Sequence, residues 1–94
     1  MYYVIHCLDQ PNSVEKRLAT YEAHKAYLAN AKIKTLISGP LLADDGETMI
    51  GSCFLVEADS RAEVEAFNRN DPFYAIGLWQ TISIHPFNKR VDNR

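Results

Sequence analysis

Apolar and polar positions change rhythm several times along the chain, and each rhythm predicts an element. Tyr2 to Leu8 is rich in aromatic and β-branched residues and closes on Asp9-Gln10-Pro11-Asn12, which predicts a strand and then a turn. From about Val14 to Ala31, Val14, Leu18, Tyr21 and Leu28 recur at helical spacing. Ser13 can cap this helix, but Lys16 stands where a capping box wants Glu, so Asn12 with Glu15 is the better candidate box. Ile33 to Ile37 predicts a short second strand, broken by Ser38-Gly39-Pro40. Asp44-Asp45-Gly46 predicts a hairpin turn into the longest strand, Thr48 to Ala58. Asp59-Ser60 opens a second helix, Glu63 completes its capping box, and Ala62, Val64, Ala66 and Phe67 carry it to Asn68. Asn70-Asp71-Pro72 ends it, because Pro72 disfavours a helical Asp71. Phe73 to Gly77 reads as a turn or a short helical piece, Trp79 to Phe87 as the last strand, and Asn88 to Arg94 as a polar tail.

The order strand, helix, strand, strand, helix, strand predicts an α+β, ferredoxin-like βαββαβ fold. Right-handed crossovers put both helices on one face of a four-stranded antiparallel sheet. The strands, however, are apolar on both faces. Tyr3, Ile5 and Cys7 oppose Tyr2, Val4, His6 and Leu8, and Met49, Cys53 and Leu55 oppose Ile50, Phe54 and Val56. Two helices cover one face only, and the other is a larger apolar patch than monomers usually expose. A closed two-fold homodimer with sheets face to face is the expected solution, with Phe54 taken as a residue of the uncovered face. A monomer with a ligand groove there is the alternative.

Composition narrows the function classes. The 94 residues are expected to form one domain, 1–94, and 47% hydrophobic content argues against disorder. Net charge is −2 with no basic run, so neither nucleic acid nor an anionic membrane is an expected partner. The longest apolar run is far short of a bilayer span, and Met1 to Leu8 lacks the features of a signal peptide. Cys7 and Cys53 are too few for a disulfide framework, so buried free thiols and a cytoplasmic location are expected. His6 and Cys7 point to opposite faces, and His85 has no carboxylate or Cys partner nearby in sequence, so no metal site is expected. No phosphate-binding glycine loop or dinucleotide fingerprint is present, and no cofactor is expected. The aromatics Tyr2-Tyr3 and Phe54 with Trp79 lack the basic interleaving of an RNA-stacking sheet.

The candidate chemistry centres on His24. Arg17, Tyr21, His24 and Leu28 fall within roughly 60° of arc on a helix. His24 therefore lies on the inner stripe, where an imidazole can serve as general acid or base, or can simply be packed against a backbone carbonyl. Asp71 is the second candidate. It is either a turn residue before Pro72 or a carboxylate that orients His24, since this topology lets the end of the second helix approach the first. Ser38 offers a hydroxyl, and Gly39 permits close backbone approach of a ligand; a bulge that turns the strand is the other reading. Arg17 could hold an anionic group or reach to solvent.

Arg17-x-x-x-x-x-x-His24-x-x-Tyr27-Leu28, then Ser38-Gly39-Pro40-Leu41, Asp71-Pro72-Phe73 and the closing Pro86-Phe87 together resemble the YCII (YciI-like) family over nearly the whole chain. The resemblance implies a ferredoxin-like fold in a dimeric α+β barrel, similar in fold to muconolactone isomerases and small cofactor-free monooxygenases. It also implies a His–Asp pair at the active site, here His24 and Asp71. Most members have no established reaction, and one branch is linked to dehydrochlorination of a chlorinated hydroxyhydroquinone. Kinship of fold does not settle function. The expected function is a cofactor-independent enzyme using His24 and Asp71 for proton transfer on a small cyclic or aromatic oxygenated compound. Ser38 and Gly39 would line the pocket, with Arg17 near its rim. The alternatives are a dimer that binds a small metabolite without turnover, and a purely structural role.

Overall fold

The computed structural model describes residues 1–94. The chain forms β1 (Tyr2–Asp9), α1 (Val14–Asn30), β2 (Lys34–Leu42), β3 (Met49–Glu57), α2 (Arg61–Arg69), α3 (Pro72–Ala75) and β4 (Trp79–Phe87). The strands make one antiparallel sheet in the order β2-β3-β1-β4, the ferredoxin-like arrangement expected. β1 and β3 are central, and β2 and β4 are the edges.

Alternation along the central strands sets the two faces. Tyr3, Ile5 and Cys7 of β1 and Phe54 and Val56 of β3 are buried against the helices, in one core with Val64, Phe67, Phe73, Leu78, Trp79 and Ile84. Phe54 is thus a core residue of the covered face and not of the open one. Its ring meets Phe67 and Trp79 edge to face, which also takes both aromatics out of any exposed stacking surface. The register puts Val4, His6 and Leu8, Cys53 and Leu55, Ile37 and Leu41 on the opposite face, where they are half-buried or exposed.

Three local expectations need correction. Ser38-Gly39-Pro40 does not break the second strand, because β2 runs through it to Leu42. An edge strand tolerates Pro, whose missing N–H can face solvent. The irregularities instead fall at Leu36, skipped between the pairs Thr35–Val56 and Ile37–Leu55, and at Ile50, skipped between Leu41–Gly51 and Leu42–Met49. At the start of α1 neither predicted cap forms. Asn12 lies in the left-handed region at φ 57°, inside the turn, and Ser13, at the N-cap, gives its hydroxyl to the Pro11 carbonyl instead. Finally, α1 does not bury the predicted Leu18, which is 53% exposed; the adjacent Arg17 is buried in its place.

The start of α2 keeps the Ser60 half of the expected box, while the return bond goes to the residue before the cap. Ser60 Oγ accepts from the Glu63 amide, and the Glu63 carboxylate reaches back to the Asp59 amide. After α2 the chain turns at once into α3, whose N-cap is Asp71 with Pro72 in the first turn. Gly77, at φ 67°, closes α3 with bonds from its own amide to Tyr74 and from the Leu78 amide to Phe73. This paired closure needs a left-handed residue, for which Gly is the usual choice. A second glycine is required by crowding: a Cβ on Gly51 would fall 2.2 Å from the Cys7 carbonyl oxygen.

Candidate functional site

α1 carries the site on its inner stripe, and β1, β3 and α3 supply the partners. His24 Nδ1 lies 2.9 Å from both Asp71 carboxylate oxygens. Asp71 is itself held, since its Oδ1 accepts the Phe73 amide hydrogen at 2.8 Å as the cap of α3. A carboxylate accepts only, so neutral His24 carries its proton on Nδ1 and leaves Nε2 as the free base. The imidazole stacks on Phe73 with centroids 4.1 Å apart and planes 14° from parallel, and Phe54 meets it edge-on at 6.1 Å. Both His24 and Asp71 are buried. The motif Asp71-Pro72-Phe73 therefore delivers two contacts to one imidazole, a carboxylate at its edge and a ring on its face.

Arg17 lies two turns earlier on the same stripe and is 2% exposed, so it does not reach to solvent. Its Nε donates to Asp9 Oδ2 at 2.8 Å, and Nη2 donates to Asp9 Oδ1 at 2.9 Å and to Ser52 Oγ at 2.8 Å. Its guanidinium carbon sits 4.7 Å from the centre of the Phe73 ring. Phe73 thus touches both buried polar residues of α1.

A cavity of about 220 Å³ opens between α1 and the β2–β3 side of the sheet. Arg17, Tyr21, His24, Lys25 and Leu28 line it from α1, Ser38, Gly39 and Pro40 from β2, and Ser52 and Phe54 from β3. Of the residues singled out in the sequence, Arg17, His24, Ser38 and Gly39 meet here. Asp71 stands behind His24 and does not line the cavity. Gly39 has open space where a Cβ would be, so no close approach within the chain demands it.

The pattern of the sequence marks neither Asp9 nor Ser52 as a site residue, and Phe73 enters it only as part of the Asp71-Pro72-Phe73 triplet. Asp9 opens a turn-forming cluster in the sequence, although the alternation Tyr3, Ile5, Cys7 continues to it and points it inward. A bulge helps: Leu8 pairs with Thr81 but Asp9 with Trp79, so Gln80 is skipped. Ser52 alternates with Phe54 and Val56, and a lone hydroxyl on an apolar inner stripe was the available signal.

Two further groups feel the site electrostatically. Burial pushes the Cys7 thiol up to about 12; the Asn68 amide opposes this, and the negative charges of Asp71 and Asp9 add smaller increases. Tyr27, whose hydroxyl donates to the Phe67 carbonyl at 2.7 Å, is raised by burial and then by Asp71.

Comparison with known proteins gives a consistent picture. The family model for the YCII-related domain matches residues 1–88. Protein YciI of Escherichia coli O6:H1 is 33% identical over 96 aligned positions, covering 95% of this chain and 98% of that protein. An uncharacterized protein of Haemophilus influenzae has the same identity and coverage. Among solved structures, 5-chloro-2-hydroxyhydroquinone dehydrochlorinase (TftG) from Burkholderia phenoliruptrix AC1100, in complex with 2,5-dihydroxybenzoquinone, superposes with a TM-score of 0.85 at 36% identity, covering 94% of each chain. Rv0793 from Mycobacterium tuberculosis superposes with a TM-score of 0.51 at 12% identity, a likeness of fold alone. No helix of this chain is long and apolar enough to cross a membrane.

Proposed function

This chain belongs to the YCII-related family, and on that premise we propose that it is a cofactor-independent enzyme that moves a proton on a small cyclic or aromatic oxygenated compound. One observation carries the reading: a buried imidazole, fixed through Nδ1 by a capped carboxylate, stands in the wall of a cavity of ring-compound size. The likeness to a dehydrochlorinase holding a dihydroxybenzoquinone supports the substrate class.

In this reading His24 Nε2 takes a proton from the ligand, and Asp71 balances the charge of the imidazolium that results. Asp71 needs no motion to do so, because the Phe73 amide already holds it. An isomerisation returns the same proton to another atom of the ring. A dehydrochlorination instead releases chloride with the electrons of its bond to carbon. Arg17, Ser38 and Gly39 bind and orient the ring.

The test begins with a screen of small cyclic lactones and hydroxyquinones for turnover. On any substrate found, His24→Ala should lose on the order of 10²–10⁴ in kcat. Full turnover by that variant ends the reading. Asp71→Asn should lower kcat as well, and full turnover by that variant would remove Asp71 from the mechanism.

The working form is a homodimer closed through the open sheet face, where Val4, Leu8, Ile37, Leu41 and Leu55 remain at least partly exposed. Sedimentation should show a dimer that Leu55→Lys converts to monomer. A wild-type monomer, or a Leu55→Lys dimer of unchanged affinity, would rule this interface out.

A further inference from the structure

The guanidinium of Arg17 is committed on one side and vacant on the other. Nε and Nη2 spend their three hydrogens on Asp9 and Ser52. Nη1 has two hydrogens and no partner within the chain. The buried side-chain polar atoms that are both sealed from solvent and unpartnered are Thr35 Oγ1 and Trp79 Nε1, and Nη1 is not among them. In a residue 2% exposed that lines the cavity, the opening at Nη1 is the cavity itself. Ser52 adds a donor beside it, since its oxygen accepts from Nη2 and its own hydroxyl hydrogen is uncommitted.

A buried cationic donor without an acceptor is costly, and charge-assisted bonds to an anionic oxygen are the strong ones. Asp9 and Ser52 hold the guanidinium fork in one plane, and Phe73 lies against it. The donors are therefore oriented before any ligand arrives. Arg17 and His24 both lie against the Phe73 ring, the guanidinium carbon 4.7 Å and the imidazole centre 4.1 Å from its centre, and both line the same cavity wall.

From this we infer that Arg17 Nη1 and the Ser52 hydroxyl form a preformed oxyanion pole, with Asp9 as its positioning residue, and that the cavity takes its ring ligand as a phenolate or enolate and not as the neutral hydroxyl compound. The inference rests on the reading of this cavity as a ring-compound site and names the ionisation state of what it binds. It also explains why the stripe carries a guanidinium where an apolar side chain would pack.

The probe is para-nitrophenol, whose phenolate absorbs visible light, titrated against pH with and without saturating protein. The bound probe should ionise about one pH unit lower than the free one, a roughly ten-fold preference for phenolate. Ser52→Ala should shrink that difference. The double variant Arg17→Met, Asp9→Asn removes the buried pair together and should abolish it; circular dichroism checks that each variant is folded. No binding, an unshifted probe, or a shift retained in the folded double variant overturns the inference. His24→Gln separates it from the proton-transfer reading. A preference that survives in His24→Gln belongs to the Arg17 pole. One lost in His24→Gln but kept in the double variant would make imidazolium the anion's partner, and the pole would fall while the proton-transfer reading stands.

Discussion

α1 and α2 pack on the same face of the same sheet, yet what α1 buries is charged or titratable, whereas what α2 buries is apolar except for the uncharged amide of Asn68. α2 turns Val64 and Phe67 into the core and leaves Arg61, Glu63 and Arg69 in water. α1 buries Arg17 and His24 and leaves Leu18 exposed. The apolar stripe of α2 is held by removal of its surface from water, which needs no particular partner. The polar stripe of α1 is held only because Asp9, Ser52 and Asp71 arrive from β1, β3 and the cap of α3. A buried ion pair rarely adds stability over an apolar pair of the same size. The stripe of α1 thus fits a binding wall better than a core, and α2 fits a core.

The largest effect should come from unbalancing α1. Arg17→Met leaves the Asp9 carboxylate buried and unpaired, and should cost about 3–5 kcal/mol in urea unfolding. Adding Asp9→Asn should restore a large part of that loss. If the double variant is no more stable than the single one, the two residues are not coupled. Phe67→Ala in α2 opens a core cavity and should cost about 3 kcal/mol, but it should leave the ionisation preference of the bound nitrophenol intact. A lost preference there would blur the distinction between the helices.

A smaller effect lies in β1, beneath both helices. Burial pushes the Cys7 thiol from its ordinary 9.0 up to about 12 in the folded chain. Between those values the unfolded chain holds fewer protons, so stability falls as pH rises, by up to about 1.4 kcal/mol per pH unit. The raised Tyr27 pushes in the same direction. Cys7→Ala should show a shallower alkaline decline in melting temperature, and an identical decline would place the cause elsewhere. The smallest effect compares the caps. Ser60→Ala should cost about 1 kcal/mol, whereas Ser13→Ala should change stability by less than about 0.5 kcal/mol, because the Ser13 side chain makes no cap bond. Equal losses would show that cap geometry does not separate the two helices.

The same contrast explains what the sequence made legible. α2 was readable because period, cap and stop agreed on one helix, and the sheet because its alternation and turns agreed on four strands. The limits of β2 were not, since Gly39 and Pro40 signal a break unless the strand is known to be an edge. In α1, period picked out Leu18 because a hydrophobicity pattern counts Arg17 as surface. A buried guanidinium depends on acceptors far away in sequence, and no local window contains them: Ser52 is 35 residues from Arg17. His24 and Asp71 were named as candidates from residue type and family likeness, but their 47-residue separation is bridged only by the fold.

The prolines on the sheet's borders bear on how copies of this chain avoid one another. Pro40 sits in β2 and Pro86 in β4, one on each edge. Neither can donate an amide hydrogen, so neither border offers a continuous ladder to an incoming strand. Growth by edge-to-edge β-pairing, the usual route to fibrils, is interrupted on both sides. The dimer proposed above, closed through the apolar face, would use neither border.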